Sequence, residues 1–482
     1  MLLNEKYEAV IGLEVHAQLA TDSKLFCGDS TAFGAAPNTH ISPITMGHPG
    51  TLPMANKKAV EYAIRMGLAC NCEIEKDNYF ARKNYFYPDL PKGYQVSQHT
   101  TPICKAGYVT IKTAAGERNV QLNRIHMEED AGKSIHDLDK DFTCIDLNRA
   151  GTPLVEIVTE PDIFSADEAW QYVTEVRRLV RWIGICDGNM EEGSLRCDAN
   201  ISIRLKGEKK LGTRVEVKNL NSIRNVKKAI EFEIDRMIQL VEDGGKVQQQ
   251  TRSFDASNDT TFAIRDKEEA NDYRYFPDPD LAPLHVTDDF INKVRSALPS
   301  LPNELVKKYQ SQFGLSAYDA AQLCDEKETA LYFEAVSKHT TQYKAAANWI
   351  LGPVRQYINE RGIDFTAFNL QPSILAELIQ LVESGKVNFS VASSKILPVI
   401  ITENQSPLTV AESMNLLQVS DTNELEAWIN ETIQNMPDKV SEYKKGKKGL
   451  IGLFVGEVKK RSGGKADPKL VTQLLEQKLN QS

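Results

Sequence analysis

The sequence of 482 residues predicts an α+β protein, in which a largely antiparallel sheet comes first and two all-α domains follow. Segments with period-two alternation, such as ISIRL (201–205) and TRVEVKNL (213–220), outnumber the helices before residue 285, which favours an antiparallel over a doubly wound sheet. From Ser316 onward the apolar spacing is helical. Because the chain is too long for one core, about three domains are expected.

The first predicted strand lies near the N-terminus and has two different faces. Ile11, Leu13 and Val15 share an apolar face, whereas Glu14 and His16 lie on the opposite one. A solvated face of an antiparallel sheet explains this pattern as well as a functional site does. The strand alone therefore leaves both interpretations open.

The predicted helices follow in order along the chain. SADEAWQYVTEVRRLVRWIG (165–184) is amphipathic and begins with a capping box, Ser165 with Glu168 three residues later. The stretch 296–316 looks like a linker that leads into helices up to about residue 401. A further helical block begins near Pro407, and its last helix starts at Asp467 and Pro468. The predicted domains are thus 1–292, 293–406 and 407–482.

Charge and cysteine content limit the class of protein. The net charge is −9, but residues 436–482 carry +6 and the remainder −15, so a basic tail follows an acidic body. No segment approaches the length of a membrane span and no signal pattern opens the chain, so a cytoplasmic protein without membrane association is expected. Eight scattered cysteines indicate reduced thiols. Cys27, Cys70 and Cys72 lack an evident fourth ligand, and zinc is not expected.

Carboxylates recur in apolar surroundings throughout the first domain. HMEEDAGKS (126–134) supplies Glu128 and Glu129, Glu156 lies among aliphatic residues, and Glu191 and Glu192 precede a predicted strand. Nearby strands carry the cations Arg204, Arg214 and Lys218. Carboxylate oxygens are the ligands that Mg²⁺ prefers, and Lys and Arg balance phosphate charge. Nucleotide-dependent phosphoryl transfer is therefore predicted, without a P-loop or kinase motif.

Two aromatic, basic segments form a second feature. ARKNYFYPDLPKGYQVSQ (81–98) and NDYRYFPDPDLAPL (271–284) interleave tyrosines with Lys83 and other cations. The rings of Tyr85 and Tyr87 could stack on nucleotide bases. Packing of rigid, proline-rich loops on the sheet explains them equally well.

Several long motifs give the chain a specific resemblance. These motifs are IGLEVHAQL (11–19), RKNYFYPDLPKGYQVSQ (82–98), HMEEDAGKS (126–134), DLNRAGTPLVEI (146–157), MEEGSLRCDANISIR (190–204), VEVKNLNS (215–222), DYRYFPDPDL (272–281) and GEVKKRSGGKADPKLVTQLLEQKL (456–479). Through them the chain resembles the B subunit of the glutamyl/aspartyl-tRNA amidotransferase over essentially its whole length, and no large insertion of the archaeal type is visible.

The resemblance implies both a fold and a reaction. The catalytic domain is expected to be similar to glutamine synthetase in fold. The family uses ATP to phosphorylate the side-chain carboxylate of Glu on tRNA(Gln) or Asp on tRNA(Asn), and ammonia from a partner glutaminase then displaces phosphate. The expected partners are the glutaminase A subunit, a small C subunit and the mischarged tRNAs. The family's cysteine knuckle is incomplete here, which supports the expectation of no zinc.

The resemblance also assigns roles to residues. It implies Mg²⁺ ligation by Glu14, His16 and Glu129, with Glu128, Glu156 and Glu192 in the same cavity. It also implies phosphate or carboxyl contacts by Lys83, Arg204, Arg214 and Lys218. The aromatic segments predict ATP contacts by Tyr85 and Tyr87, and the charge of the basic tail predicts tRNA contacts by Lys444, Lys445, Lys447, Lys448, Lys459, Lys460 and Lys465. Two alternatives remain, a non-catalytic tRNA-binding scaffold and a free-standing ligase for a small acid. Dependence of ATP hydrolysis on aminoacyl-tRNA distinguishes all three.

Overall fold

The computed structural model describes residues 6–266, 273–418, 422–463 and 465–481. The chain divides into two compact units, Met1–Leu301 and Pro302–Ser482. The first unit contains the strands and the second is helical. Among the described residues, none of the helices combines the length and apolar character that a membrane span requires.

The strands of the first unit are numbered in chain order. They are β1 (Tyr7–Gln18), β2 (Glu73–Ile74), β3 (Asp77–Asn78), β4 (Ala81–Asn84), β5 (Tyr94–Ser97), β6 (Cys104–Lys105), β7 (Tyr108–Thr113), β8 (Gly116–Glu129), β9 (Lys133–Ile135), β10 (Cys144–Asp146), β11 (Pro153–Thr159), β12 (Leu195–Leu205), β13 (Val215–Leu220), β14 (Gln250–Asp255), β15 (Thr260–Asp266), β16 (Phe276–Pro277) and β17 (Leu284–His285).

One large sheet holds most of these strands. Its order is β15-β14-β13-β12-β1-β11-β8-β5-β4-β16. In addition, β6 and β7 pair with β8, and β2 pairs with β6. Within the described ranges every pairing is antiparallel except that of β13 with β14, so the sheet is mixed. The α+β class predicted from the alternating segments is confirmed. The parallel pair arises because the 20-residue helix Ile223–Glu242 connects β13 to β14, and parallel strands require such a crossover.

Helices cover the apolar face of this sheet. The first unit contains α1 (Lys57–Ala69), α2 (Ala166–Trp182), α3 (Ile223–Glu242) and α4 (Asp288–Ser296). Ile11, Leu13 and Val15 of β1 are fully buried, and α2 contacts β1. The Ser165 hydroxyl accepts a hydrogen bond from the Glu168 amide, as the capping box predicts. The Glu168 carboxylate accepts a hydrogen bond from the amide of Phe164, one residue before the expected donor Ser165.

The second unit consists of short helices with two π-helical joints. They are α5 (Pro302–Phe313), α6 (Ala317–Leu323), α7 (Lys327–Ser337), α8 (Tyr343–Trp349), α9 (Arg355–Arg361), α10 (Pro372–Glu383), α11 (Phe389–Val391), α12 (Leu397–Glu403), α13 (Pro407–Ser413), α14 (Thr422–Asn435), α15 (Pro437–Lys444), α16 (Ile451–Arg461) and α17 (Pro468–Gln481). Pro353 lies in the π-helical joint between α8 and α9, where the missing amide favours a wider turn.

The last four helices have a hydrophobic core of their own. Leu425, Ile429, Phe454 and Leu475 are fully buried within this cluster. In contrast, α13 contacts α10 and α12 of the preceding helices. The cluster therefore consists of α14 to α17, and a domain boundary near residue 406 stays a prediction.

Candidate active site

Polar side chains gather on the other face of the sheet at its centre. His16 of β1 lies opposite Glu156 of β11, and Glu156 lies opposite His126 of β8. Ser97 of β5 pairs with Glu128, two residues further along β8. Because side chains alternate between faces, these residues project from the same side, which we call the polar face.

A first group of possible metal ligands consists of His16, Glu128 and Glu156. One ligand atom from each lies within 4.8 Å of the others. His16 Nε2 is 3.4 Å from Glu156 Oε2, and His126 Nε2 lies 2.8 Å from Glu128 Oε1 and 3.3 Å from Glu156 Oε2. His126 thus bridges the two carboxylates. Gln95 and Ser97 donate to the Glu128 oxygens at 2.8 and 3.0 Å.

Opposite charges within this group stabilise one another. Burial opposes positive charge on the imidazoles of His16 and His126, but neighbouring carboxylates outweigh this effect. Glu156 raises the pKa of His16. Glu156 and Glu128 together raise the pKa of His126 to about 9. Burial likewise opposes charge on Glu156, yet His126 and His16 hold the pKa of its carboxyl well below the usual value. Nearly buried carboxylates of this kind require positive charge nearby, which the two imidazoles supply here, and His16 would have to lose its proton to bind a metal ion.

A second group lies on the same polar face, where β1 is followed in the sheet by β12 and β13. Glu14, Asp198 and Glu216 also place one oxygen each within 4.8 Å of the others. Glu14 lies opposite Asp198 of β12, and Asn200 lies opposite Glu216 of β13. Lys218 Nζ lies 2.5 Å from Asp198 Oδ2 and 3.5 Å from Glu216 Oε1. An ammonium ion therefore balances part of this negative charge.

Neighbouring polar groups orient the second group. The Asn200 amide donates to Glu14 Oε1 at 2.9 Å, and the Thr251 hydroxyl of β14 donates to Glu216 Oε2 at 2.8 Å. Thr251 reaches Glu216 because the two residues are paired in the parallel ladder. Hydrogen bonds of this kind fix the orientation of metal-ligating carboxylates.

Both groups have donor sets that fit a hard divalent cation. The second group offers carboxylate oxygens alone, and the first offers two carboxylates with one imidazole. Mg²⁺ binds through few carboxylates and keeps positions for water or phosphate oxygens. Within the described part of the chain, no comparable group includes a cysteine. The expectation that zinc is absent remains a prediction.

Lys83 lies at the β4 side of the same face, among tyrosines. Its Nζ is 5.6 Å from the centre of the Tyr85 ring and 4.9 Å from that of Tyr273. Burial opposes the charge, but the Glu128 carboxylate raises the pKa of Lys83 above its usual value. Tyr85 donates to Gln95, which in turn donates to Glu128. The predicted contact residue Tyr85 is thus linked to the first ligand group, whereas Tyr87 is about half exposed and contacts the Tyr85 ring edge-on.

Glu129 lies on the opposite side of β8 from Glu128, so the expectation that it shares a site with His16 is corrected. Adjacent residues of a strand point to opposite faces. Glu129 Oε1 accepts from Lys92 Nζ at 2.5 Å and from the Val96 amide at 2.9 Å. It lines a cavity of about 320 Å³ together with Lys24, Lys92, Tyr94 and Asp130.

Three further predicted residues stand outside the two ligand groups. Glu192 is exposed in the turn before β12, and Arg214 is exposed directly before β13. Arg204 lies opposite Glu8 and donates to its carboxylate at 2.6 Å, six residues along β12 from Asp198. The structure does not bring these three into the ligand groups, because the strand pattern fixes the face but not the position along the strand.

The predicted tRNA-contact lysines lie in the C-terminal helices. Six are exposed and Lys465 is half-buried. Lys447 pairs with Glu442 at 3.0 Å, and Lys448 Nζ lies 4.2 Å from the Tyr443 ring centre. The seven lysines are thus distributed over α15, α16 and the adjoining segments.

The structure adds residues that the sequence did not assign to the metal site. Asp198 and Glu216 complete the second group, and His126 connects the carboxylates of the first. Alternation in CDANISIRL already placed Asp198 on the face of Asn200 and Arg204. Only the register between β1, β12 and β13 shows which of these positions meets Glu14.

Comparison with known proteins identifies the family of the chain. Residues 9–292 match the GatB/GatE catalytic domain, and residues 331–479 match the GatB domain. B subunits of aspartyl/glutamyl-tRNA(Asn/Gln) amidotransferases are similar along nearly their whole length. That of Geotalea daltonii is 50% identical, covering 98% of this chain and 99% of the relative, and that of Persephonella marina is 47% identical, covering 98% and 100%. The chain belongs to the family of aspartyl/glutamyl-tRNA(Asn/Gln) amidotransferase B subunits.

Proposed function

We propose that the chain is the component that activates and amidates Glu-tRNA(Gln), Asp-tRNA(Asn) or both. The observation that carries this proposal is the pair of three-ligand groups on one polar face, within the matched catalytic domain. The names of its relatives state an amidotransferase acting on these tRNAs. The scaffold alternative does not explain why acidic groups are held close together.

The proposed reaction has two steps. A carboxylate oxygen of the tRNA-bound Glu or Asp attacks the γ-phosphorus of ATP, which releases ADP and leaves an acyl phosphate. Ammonia then adds to the acyl carbon, the amine loses a proton, and inorganic phosphate leaves as the amide forms. Phosphoryl transfer of this type depends mainly on positioning and charge stabilisation.

Residues of this chain support the first step in distinct ways. His16, Glu128 and Glu156, and separately Glu14, Asp198 and Glu216, would hold Mg²⁺. When bound, Mg²⁺ supplies charge neutralisation for phosphate oxygens. Lys83 and Lys218 add fixed positive charge at either side of the ligand groups. Arg204 is bonded to Glu8, so we propose for it a supporting role on β12 and not direct contact.

The nitrogen and the tRNA are proposed to come from outside the sheet unit. A glutaminase A subunit would supply ammonia, and a small C subunit would complete the enzyme, since the relatives are named as one lettered component of an amidotransferase. The exposed lysines of the tail would bind tRNA phosphates. We also propose three domains with boundaries near 292 and 406, a sheet unit that resembles glutamine synthetase, and a cytoplasmic location.

The decisive experiment measures ADP release by the assembled enzyme with each tRNA. Mischarged Glu-tRNA(Gln) and Asp-tRNA(Asn) are compared with the uncharged tRNAs and with free glutamate and aspartate. The proposal requires ATP cleavage and amide formation only with a mischarged tRNA. Cleavage with the free amino acids would favour a small-molecule ligase, and tRNA binding without cleavage would favour a scaffold.

A further inference from the structure

Two cations on the polar face have no ion-pair partner among the residues that the structure describes. Lys83 lies on β4, and Arg124 lies on β8 two residues before His126. Other cations of this face are paired, as Lys218 is with Asp198 and Arg196 with Asp130. Unpaired cations beside a carboxylate-rich centre are available to an anionic ligand.

The partly buried environment of Arg124 strengthens this observation. Its Nε is inaccessible to solvent and has no hydrogen-bond partner in the described structure. Buried N–H groups are normally satisfied, and an exception calls for an explanation. A guanidinium group presents several donors in one plane, an arrangement that matches the oxygens of a phosphate.

A pair of parallel rings lies beside the two cations. The imidazole of His99 and the phenol of Tyr275 stack with centroids 4.0 Å apart and planes inclined by 2°. Strand pairing explains their location, because Tyr275 precedes Phe276, which pairs with β4, and His99 follows Ser97, which pairs with Glu128. Burial and the nearby positive charge of Arg124, His126 and Lys83 lower the pKa of His99.

These neighbours share the properties of a nucleotide subsite. A flat aromatic pair supports a base or sugar ring, and adjacent cations bind the attached phosphate. One member of the first ligand group, Glu128, lies on the same strand as Arg124, and the two side chains share a face because they are four residues apart. A phosphate here would therefore lie on the face where the proposed phosphoryl transfer takes place.

We propose that Arg124 and Lys83 bind a phosphate group of a nucleotide, and that the His99–Tyr275 pair supports its adjoining ring. This inference rests on the proposed function, which supplies two nucleotides to this face, free ATP and the acceptor end of the tRNA. Neither the local sequence patterns nor the family resemblance assigns a role to Arg124 or His99. The shared ligand chemistry is a phosphate ester next to a planar ring.

The test uses Arg124→Gln and Arg124→Lys in the assembled enzyme, with Lys112→Gln on the exposed side of β7 as a charge control. Dissociation constants for ATP and for mischarged tRNA are measured separately, at several salt concentrations. Arg124→Gln is expected to weaken binding of at least one ligand by about tenfold or more, because hydrogen bonds to charged groups are strong. Arg124→Lys should retain part of the affinity, and Lys112→Gln should retain all of it.

Each outcome is informative. Weakened ATP binding identifies the phosphate as that of ATP, and weakened tRNA binding identifies the acceptor end. Unchanged dissociation constants for both ligands overturn the inference, even where kcat falls. Tyr275→Phe should bind normally and Tyr275→Leu weakly, which provides a second test if Arg124→Gln fails to fold. A wild-type enzyme without tRNA-dependent ATP cleavage would instead contradict the proposed function.

Discussion

At the scale of single residues, His16 carries the sharpest prediction. His16→Ala removes the imidazole from the first ligand group while leaving the apolar face of β1 unchanged. We expect tRNA-dependent ADP release to fall by roughly 10²-fold or more, as is typical when stabilisation of developing charge is lost. His136→Ala, at an exposed histidine, serves as the matched control. Near-normal amide formation by His16→Ala at saturating Mg²⁺ would rule out the first group as the metal site.

Lys218 leads to a prediction about stability. Its ammonium group is bonded to Asp198 and close to Glu216, so Lys218→Gln leaves like charges less balanced. We expect the free energy of unfolding of the metal-free variant to be about 1 kcal/mol lower than that of the metal-free wild type. The loss is smaller than that of a buried hydrogen bond to a charged group, because 36% of the Lys218 side chain is exposed. That corresponds to a fall in Tm of roughly 2 °C.

Added Mg²⁺ should restore most of the lost stability, because a ligand that binds only the folded state stabilises it. The measurement is thermal unfolding of Lys218→Gln and wild type, each in chelator and in excess Mg²⁺. An equal difference between the proteins in both conditions would show that Lys218 does not share its site with a cation.

At the scale of elements, the parallel strand β14 holds the second group in place. Its Thr251 donates to Glu216, whereas the adjacent Arg252 donates at 2.9 Å to Glu233, which is fully buried on α3. The strand is thus fixed on one side by a helix and supports a carboxylate on the other. We expect Thr251→Val to weaken metal affinity by about 10- to 100-fold.

Direct Mn²⁺ binding, measured by electron paramagnetic resonance, tests this role without relying on turnover. Thr251→Ser should recover most of the affinity, since it keeps the hydroxyl. Ser253→Ala, two residues along the same strand and bonded to Asn219, is the control for general damage to β14. Equal Mn²⁺ affinity in Thr251→Val and wild type would restrict Thr251 to a packing role.

The elements also show what the sequence could predict and what it could not. The two faces of β1, the start of α2 and the helical second unit follow from local periodicity and capping. The alternation in β13 placed Glu216 on the face of Lys218, yet its meeting with Glu14 depends on pairing across β12. The resemblance placed Glu128 and Glu129 in one cavity, although neighbouring residues of a strand point to opposite faces. Long-range register, and hence the composition of each ligand group, is not contained in local patterns.

At the scale of the whole molecule, the contrast between the acidic body and the basic tail predicts how tRNA binds. A chain ending at Gln418 removes the four helices that share their own core. We expect its KM for mischarged tRNA to rise by about tenfold or more, with little change for ATP, because phosphate contacts by the lysines are lost. In a plot of the logarithm of the tRNA association constant against the logarithm of the salt concentration, the slope should also become shallower by roughly one unit for each phosphate contact removed.

A charge variant controls for the size of this deletion. Replacing Lys444, Lys445, Lys459 and Lys460 by Ala should reproduce the weaker binding and the shallower slope. Replacing the exposed Lys209 and Lys210 of the first unit should not. Unchanged affinity with an unchanged slope in the tail variants would mean that these lysines are a solvated surface without tRNA contacts.

The source of nitrogen provides a prediction for the isolated chain. No arrangement of nucleophile and base typical of a glutaminase was found in the sequence. The chain alone should therefore form no amide from glutamine, and ammonium salts should support amidation of mischarged tRNA. Mass spectrometry of the hydrolysed aminoacyl group measures both. Glutamine-dependent product from the purified single chain would contradict the proposed division of labour between subunits.

The opposed side chains of Glu128 and Glu129 restrict how β8 can change during evolution. One carboxylate belongs to the first ligand group and the other lines the 320 Å³ cavity. If a single residue were inserted or deleted upstream in β8 and the pairing were otherwise kept, the side chain of every later residue in the strand would move to the opposite face. Length changes within this strand are therefore tolerated only in pairs or where a bulge absorbs them, so we expect related chains to vary in the β7–β8 turn and not between Arg124 and Glu129.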